Sequence, residues 1–447
     1  MIEDNIAAIA TAAGKGGVAI VRISGKSPLQ IAEKMFKPVG KTPVANFQPY
    51  KMYAGTIDGG NFSDFGLCVY FKGPQSYTGE DIVEFQCHGG ENIARGILKK
   101  AFSLGARSAE KGEFTKRAFL NGKLSLASAE GVADMINAES DAEVRAGYQL
   151  YSERLTTAVK QLQEQLTTVL AKIDVTIDYP DEYEEDLHLE VQDTCDKLTQ
   201  AHQGVLALSA QYATGKKIKS GVTVAICGKP NTGKSSLLNT LLGYDKAIVS
   251  NVAGTTRDAV EGTIEIDGKK FNLYDTAGVR CSGDAIESIG IERAEAIIKS
   301  ADVAIFVADL TQGLSQEDAR VLQMIKDKPI IKIINKVDLL HDETANDADV
   351  MVSAHTGEGI AKLKRLLAEK SFGNSLQEAF LIEERHFNAL TRAEKALARA
   401  IDACQFAPLE LIAVDVKQAW DALGEITGET ATETIIGEIF AKFCVGK

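Results

Sequence analysis

From residue 155 to 173, apolar side chains recur at alternating steps of four and three: Leu155, Val159, Leu162, Leu166, Val169 and Ile173. That spacing lines one face of a long α-helix, and ordinary bundle packing accounts for it. Other stretches carry other patterns. Residues 1–120 mix short alternating runs, such as Ile20-Val21-Arg22-Ile23 and Ile82-Val83-Glu84-Phe85, with glycine turns, which predicts an α+β segment. Helical texture fills 121–215 and returns over 376–447. Between them, 216–375 alternates apolar strands with helices, the pattern of a parallel sheet. Its candidate central strands are VTVAIC (222–227), VAIFVAD (303–309) and PIIKIIN (329–335). The simplest topology inserts this α/β module into one helical domain whose halves are 121–215 and 376–447. Pro180, in the acidic stretch Asp178–Asp186, predicts a solvated loop between helices. Near the end, Ile436, Ile439, Phe440 and Phe443 form a second helical stripe, with Thr430-x-x-Glu433 as the expected capping box.

Composition narrows the class. A chain of 447 residues can form two to four domains with their own cores. No apolar run is long enough to span a bilayer. The opening MIEDNIAAIATAAGKGG has no apolar core of a signal peptide, so a cytoplasmic protein with no membrane contact is expected. Seven cysteines (Cys68, Cys87, Cys195, Cys227, Cys281, Cys404 and Cys444) are scattered without a CxxC pair, which excludes a disulfide framework or zinc site. The net charge of −13 argues against a general nucleic-acid coat protein. Residues 1–120 carry 15 Lys and Arg against 11 Asp and Glu, so this part repels a polyanion least.

The sharpest chemistry lies in the α/β module. Gly228-Lys229-Pro230-Asn231-Thr232-Gly233-Lys234-Ser235 fits GxxxxGK[ST] between a strand and the apolar helix Leu237–Leu242. The glycines let N–H groups close around phosphates at a helix N-terminus. Lys234 is placed to reach the β/γ-phosphates and the Ser235 hydroxyl to ligate Mg²⁺. Asp275-Thr276-Ala277-Gly278 follows the strand Phe271–Tyr274. A carboxylate there can hold the Mg²⁺ water shell, and the glycine N–H can sense the γ-phosphate. Asn335-Lys336-Val337-Asp338 closes the pattern. The Asp338 carboxylate can accept N1–H and the 2-amino group of guanine, donors that adenine lacks. Ser353-Ala354-His355 takes the place of the last base-contacting loop. The module is therefore a Ras-like P-loop GTPase domain. Ras-type enzymes place a glutamine after DxxG; here Val279 stands there and cannot orient water. Glu287 is either the group that does so or an ordinary surface glutamate.

The segments GKPNTGKSSLLN, GTTRD (254–258), DTAGVR (275–280), ESIGIERA (287–294), NKVD and the terminal FCVGK resemble the MnmE (TrmE) family of tRNA modification GTPases. GKGGVAIVRISG (14–25), YTGEDIVEFQCHGG (77–90) and KGEFTKRAFLNGKLSLASAEGVADMI (111–136) resemble it too, so the likeness covers the whole chain. The resemblance implies a tetrahydrofolate-binding and dimerisation domain at 1–120 and a homodimer. It implies a partner of the FAD-binding MnmG (GidA) type in a heterotetramer, and tRNA as substrate. The reaction implied adds an aminomethyl or carboxymethylaminomethyl group to C5 of the wobble uridine, with 5-formyl- or 5,10-methylene-tetrahydrofolate as the one-carbon carrier. The implied folate contacts are Arg22, Glu84, Lys123 and Lys447. Guanine-nucleotide contacts extend to Ser236 and to the switch residues Ser250, Asn251, Val252, Ala253, Gly254, Thr255 and Thr256. Thr256 is the second implied Mg²⁺ ligand beside Ser235. Asn231, Ser250, Val252 and Thr255 are implied for K⁺, and Glu287 for the hydrolytic water. The sequence departs from the family in two places. TAAGKGG stands where a proline-bearing and arginine-bearing loop is common, and Cys-Val-Gly-Lys stands for Cys-Ile-Gly-Lys.

Two questions stay open at this level. Cys444 is either a small buried hydrophobe closing its helix or a functional thiol. A GTPase switch in ribosome assembly, without modification chemistry, is the other functional class, although no GXXG loop in a basic C-terminal domain accompanies it.

Overall fold

The structure is a computed structural model that describes residues 4–178, 187–244, 262–276, 295–309, 315–339, 348–372, 382–404 and 406–446, with the side chains of 187–191 and Tyr244 left aside. The chain forms two compact units. The first comprises Met1–Ala133, Leu150–Val205 and Ala389–Lys447, and the second Asp134–Gln149 and Leu206–Asn388.

In the first unit, the alternating runs become a sheet of seven strands: β1 (Asn5–Ile9), β2 (Val18–Gly25), β3 (Phe36–Pro38), β4 (Met52–Asp58), β5 (Ser63–Phe71), β6 (Asp81–His88) and β7 (Ala106–Ser108). Their order is β3-β4-β5-β6-β2-β1-β7. Every pairing is antiparallel except β1 with β7. Period-two alternation sends Ala19, Val21 and Ile23 into the core with Val83, Phe85 and Cys87. Helix Glu91–Ser103 covers that face with Ala94, Ile97 and Ala101.

The 155–173 stripe is confirmed. All six apolar residues are buried along helix Arg154–Asp178. Helix Leu409–Thr427 packs against it and buries Ile412, Val416, Ala419, Leu423 and Ile426, again at steps of four and three. Each large aliphatic side chain withdrawn from water there contributes about 1.5–3 kcal/mol. Residues 179–186, with Pro180, lie outside the described residues. The expected capping box is corrected. The cap of helix Glu433–Ala441 is Thr432, whose side chain accepts from Ile435 N–H. Thr430 is two residues too early: its Oγ1 donates to Asp421 O at 2.6 Å and secures the end of the preceding helix. The 436–443 stripe does pack inward, with Ile439, Phe440 and Phe443 buried against Leu126 and Ala129.

Among its described residues the second unit carries six strands: β8 (Val222–Cys227), β9 (Gly262–Ile266), β10 (Lys269–Asp275), β11 (Val303–Asp309), β12 (Ile330–Asn335) and β13 (Val350–Met351). Their order is β13-β12-β11-β8-β10-β9, parallel except for the β9–β10 hairpin. β11 is buried at every position, as a central parallel strand requires. The run predicted from Pro329 begins one residue later because proline has no N–H for the ladder; its carbonyl still accepts from Ala304 N–H.

Within this unit Lys219 Nζ lies 2.7 Å from both Asp134 Oδ1 and Glu383 Oε1. Burial, and then the Glu383 carboxylate beside it, push the Asp134 carboxyl up to about 8. The folded state therefore holds a proton there that the unfolded chain releases near the ordinary value of 3.8. This stabilising contribution is complete below that value and is lost as pH rises through about 8. Asp134→Asn should flatten this fall and raise stability at pH 8 by about 1–2 kcal/mol, a reduced figure because Lys219 is half-exposed and solvent screens the cluster. Urea unfolding of both proteins at pH 5 and pH 8 measures it; equal pH slopes would rule it out.

Candidate functional site

The loop after β8 is shaped by two glycines. Gly228 (φ +151°) and Gly233 (φ +90°) sit where a Cβ would fall 2.4 Å from Val307 O and 2.3 Å from Asn335 Nδ2. Asn231 takes a left-handed φ of 63° between them. Helix Lys234–Tyr244 follows, so its first N–H groups open onto the loop. Lys234 is buried, and its Nζ donates to Gly228 O (2.8 Å) and Lys229 O (2.7 Å). Thr232 Oγ1 donates to the same Lys229 carbonyl at 3.0 Å. Ser235 Oγ donates to Asp275 Oδ2 at 2.6 Å, and Asp275, at the end of β10, is 1 % exposed. A hydroxyl and a buried carboxylate side by side form an oxygen-donor pair suited to a small hard cation.

Asn335 ties this loop to the base-side loops. It is 2 % exposed; its Nδ2 donates to Thr232 O (2.9 Å) and its Oδ1 accepts from Ala354 N–H (3.0 Å). Lys336 Nζ donates to Asn231 O (3.0 Å) and to Asp309 Oδ2 (2.7 Å) at the end of β11. Ser353, fully buried, donates from Oγ to Asp338 Oδ1 at 2.6 Å, which orients an otherwise exposed carboxylate. Thr240 Oγ1 donates to Ala354 O at 2.6 Å and holds the 353–355 turn against the P-loop helix. His355 is exposed on that turn, and Ser236 is exposed on the helix.

The structure thus brings together Asn231, Thr232, Gly233, Lys234, Ser235, Ser236, Asp275, Asn335, Lys336, Asp338, Ser353, Ala354 and His355 at the strand ends of one parallel sheet. Thr276 stands next to them, its N–H and Oγ1 both donating to Ile226 O. Ala277, Gly278, Val279, Glu287 and the switch residues Ser250, Asn251, Val252, Ala253, Gly254, Thr255 and Thr256 lie outside the described residues. The sequence reading missed Asp309, Asp318 and Thr240. Asp309 and Thr240 act through a residue or turn that the motifs do contain. Asp318 meets Lys229, a variable position of the P-loop motif.

A second site lies in the first unit. Arg22 on β2 faces Glu84 on β6 in the strand register, and Arg22 Nε donates to Glu84 Oε1 at 2.7 Å. The guanidinium also lies 5.7 Å from the Tyr77 ring centre and 5.6 Å from that of Phe114. The pair opens into a cavity of about 440 Å³ lined also by Tyr50, Phe71, Gln75 and Ser76. Burial raises the Tyr77 hydroxyl, which bonds to Thr115 Oγ1 at 2.9 Å and stays protonated. Lys123 is exposed on the turn after helix Glu113–Leu120, which Asn121 Nδ2 anchors on Thr78 O. Beneath the sheet a buried Arg117, 1 % exposed, bridges Asp4, Glu80 and Glu113.

The buried-hydrophobe reading of Cys444 is overturned: the residue is exposed. Phe443 takes the buried place, and Val445 pairs with Lys111 in an isolated antiparallel bridge. Gly446 (φ +101°) passes so near β1 that a Cβ would fall 2.2 Å from Ile9 O. Lys447 and Cys281 lie outside the described residues. Cys68, Cys87, Cys227 and Cys404 are buried, and burial raises each thiol. Among the described residues no helix is long and apolar enough to cross a membrane, and no group of three His, Cys, Asp or Glu residues could hold a metal ion.

Two family profiles match the chain: the MnmE helical domain over residues 126–444, and the GTP-binding protein TrmE N-terminus over 5–123. The chain is 38 % identical over 459 aligned residues to the tRNA modification GTPase MnmE of Clostridioides difficile, and 40 % identical over 466 to that of Moorella thermoacetica. Both alignments cover all of each protein. Among solved structures, the G domain of the T. maritima FeoB iron transporter is 28 % identical over 33 % of this chain and 98 % of that one, with a TM-score of 0.24. On the two profiles and the full-length relatives together, the chain belongs to the MnmE family of tRNA modification GTPases.

Proposed function

We propose that this protein hydrolyses GTP in the service of tRNA modification, and that the modified position is C5 of the wobble uridine. The carrying observation is Asn335, which links the phosphate loop and the base loop through Thr232 and Ala354. In this reading Lys234 leaves the Gly228 and Lys229 carbonyls for the β- and γ-phosphates, where its charge offsets theirs. Asp338, oriented by Ser353, accepts the two guanine donors. Ser235 and Asp275 fit Mg²⁺ as first ligand and water-shell acceptor, with Thr256 as the further ligand. The ion supplies charge neutralisation between the phosphates. Glu287 orients the attacking water, since Val279 cannot. Asn231 joins Ser250, Val252 and Thr255 in holding K⁺.

The Arg22–Glu84 cavity is the proposed tetrahydrofolate site. The residues fit such a group: aromatic rings for a flat heterocycle, a carboxylate for its N–H edge, and a guanidinium for a carboxylate tail. Lys123 and Lys447 complete the proposed cation set. The protein acts as a homodimer in the cytoplasm, with an FAD-carrying MnmG-type partner in a heterotetramer. The module boundaries 1–120, 121–215, 216–375 and 376–447 are part of the same proposal.

Nucleoside mass spectrometry of tRNA from a deletion strain tests it. Loss of the modified wobble uridine is expected. Unchanged wobble uridine would overturn the modification reading and favour a ribosome-assembly switch. The cation set predicts GTP hydrolysis about tenfold or more faster in K⁺ than in Na⁺; steady-state phosphate release in the two salts at equal ionic strength decides it, and equal rates would remove K⁺ from the mechanism.

A further inference from the structure

Lys229 is the second residue of the phosphate loop, yet its side chain does not project into open solvent. It is 8 % exposed, and its Nζ lies 3.2 Å from Asp318 Oδ2. Asp318 is 1 % exposed and belongs to the first turn of helix Gln316–Ile325. Its Oδ2 also accepts from Ser315 N–H (2.8 Å) and Ser315 Oγ (2.9 Å), and Ser315 Oγ accepts from Asp318 N–H in return. The carboxylate is thus fixed by a capping box before it meets the lysine. Its other oxygen, Oδ1, is buried with no hydrogen-bond partner among the described residues, where this box and Lys229 are what offsets the burial of the carboxylate.

The backbone of Lys229 matters as much as its side chain. Its carbonyl receives both Lys234 Nζ and Thr232 Oγ1. Whatever fixes Lys229 therefore fixes the resting place of the phosphate-binding amine. We propose that Asp318 is a positioning residue for the phosphate loop: held rigid by its capping box, it anchors the Lys229 side chain and through it the carbonyl on which Lys234 and Thr232 close. It touches no nucleotide; it narrows the set of loop conformations that binding must select. The proposal rests on the reading of this loop as the GTP site.

The test is a set of binding titrations on the full chain with GDP and with guanosine. Asp318→Asn keeps an acceptor for Ser315 and loses the charge; Lys229→Met keeps the stem and loses the ammonium. Each should weaken GDP binding about tenfold, and the double variant, which restores charge balance, should also be about tenfold weaker rather than a hundredfold, because both changes remove one contact. Guanosine, which has no phosphate, should bind all four proteins alike. The double variant decides the matter even where a single variant fails to fold. Wild-type affinity for GDP in the double variant, or an equal loss for guanosine, overturns the proposal. A wild-type protein that binds no GDP at all would instead overturn the reading of the site.

Discussion

Asp338→Asn should lower GTP affinity about a thousandfold and bring xanthosine triphosphate into its place. A carboxylate accepts two hydrogen bonds, which matches the N1–H and 2-amino donors of guanine. An amide offers one acceptor and one donor, so it meets N1–H but opposes the 2-amino group. Xanthine carries an oxygen at that position and satisfies the amide. Sites built to bond a polar substrate group reject analogues lacking it by about 10⁴–10⁵; the smaller figure allows for the exposure of Asp338. Ser353 keeps a partner in the variant, since the amide oxygen still accepts its proton at the 2.6 Å contact. Competition binding of the two triphosphates decides the matter. Unchanged GTP preference would remove Asp338 from base recognition.

Arg117→Met should destabilise the first unit by about 3–5 kcal/mol, the usual cost of removing one partner of a buried ionic cluster. Arg117 is 1 % exposed. Its two terminal nitrogens donate to Asp4, Glu80 and Glu113 at 2.7–3.2 Å. Glu113 is buried too; hydrogen bonds from Arg107, the Glu110 N–H and Arg117 outweigh its burial and hold its carboxyl below the ordinary range. Methionine fills the stem volume but leaves three carboxylates crowded with Arg107 as the remaining cation among these groups. The denaturant midpoint of the first unit's transition measures the change; a loss under about 1 kcal/mol would show that solvent compensates. In the native protein Glu113 and Asp4 both have lowered values, so their stabilising share is complete above the ordinary carboxylate range and is lost as pH falls below it through the lowered values.

Local patterns were legible in the sequence and long-range partnerships were not. β8 and β11 fall on the predicted apolar runs residue for residue, because a buried parallel strand writes its burial into consecutive apolar positions. The P-loop was legible for another local reason: backbone curvature demands glycine at fixed spacing, here Gly228 and Gly233. Arg22 and Glu84 were assigned to one site without any sign that they pair, since strand register joins residues 62 apart. Arg117 and Asp4, 113 apart, left no trace at all. The cap at Thr432 was misplaced at Thr430 because Thr430, three residues before Glu433, fits the capping-box spacing and Thr432, three before Ile435, does not; the contact that takes Thr430 out of the cap is to Asp421, in another helix. Cys444 and Phe443 compete for one buried place, and a stripe ending at Phe443 does not say which way the next residue turns.

The second unit is not a single stretch of chain, and that limits how it can be dissected. Residues 134–149 belong to it, although a long helical excursion through the first unit separates them from 206–388. A fragment cut at 206 and 388 would take Lys219 and Glu383 without Asp134, and Lys270 without its partner Glu139. It would also leave Gly268 O without the N–H of Ala142. An isolated nucleotide-binding fragment that keeps its native edge must therefore carry the upstream segment, either as a peptide added in trans or by circular permutation that splices 134–149 onto the excised piece.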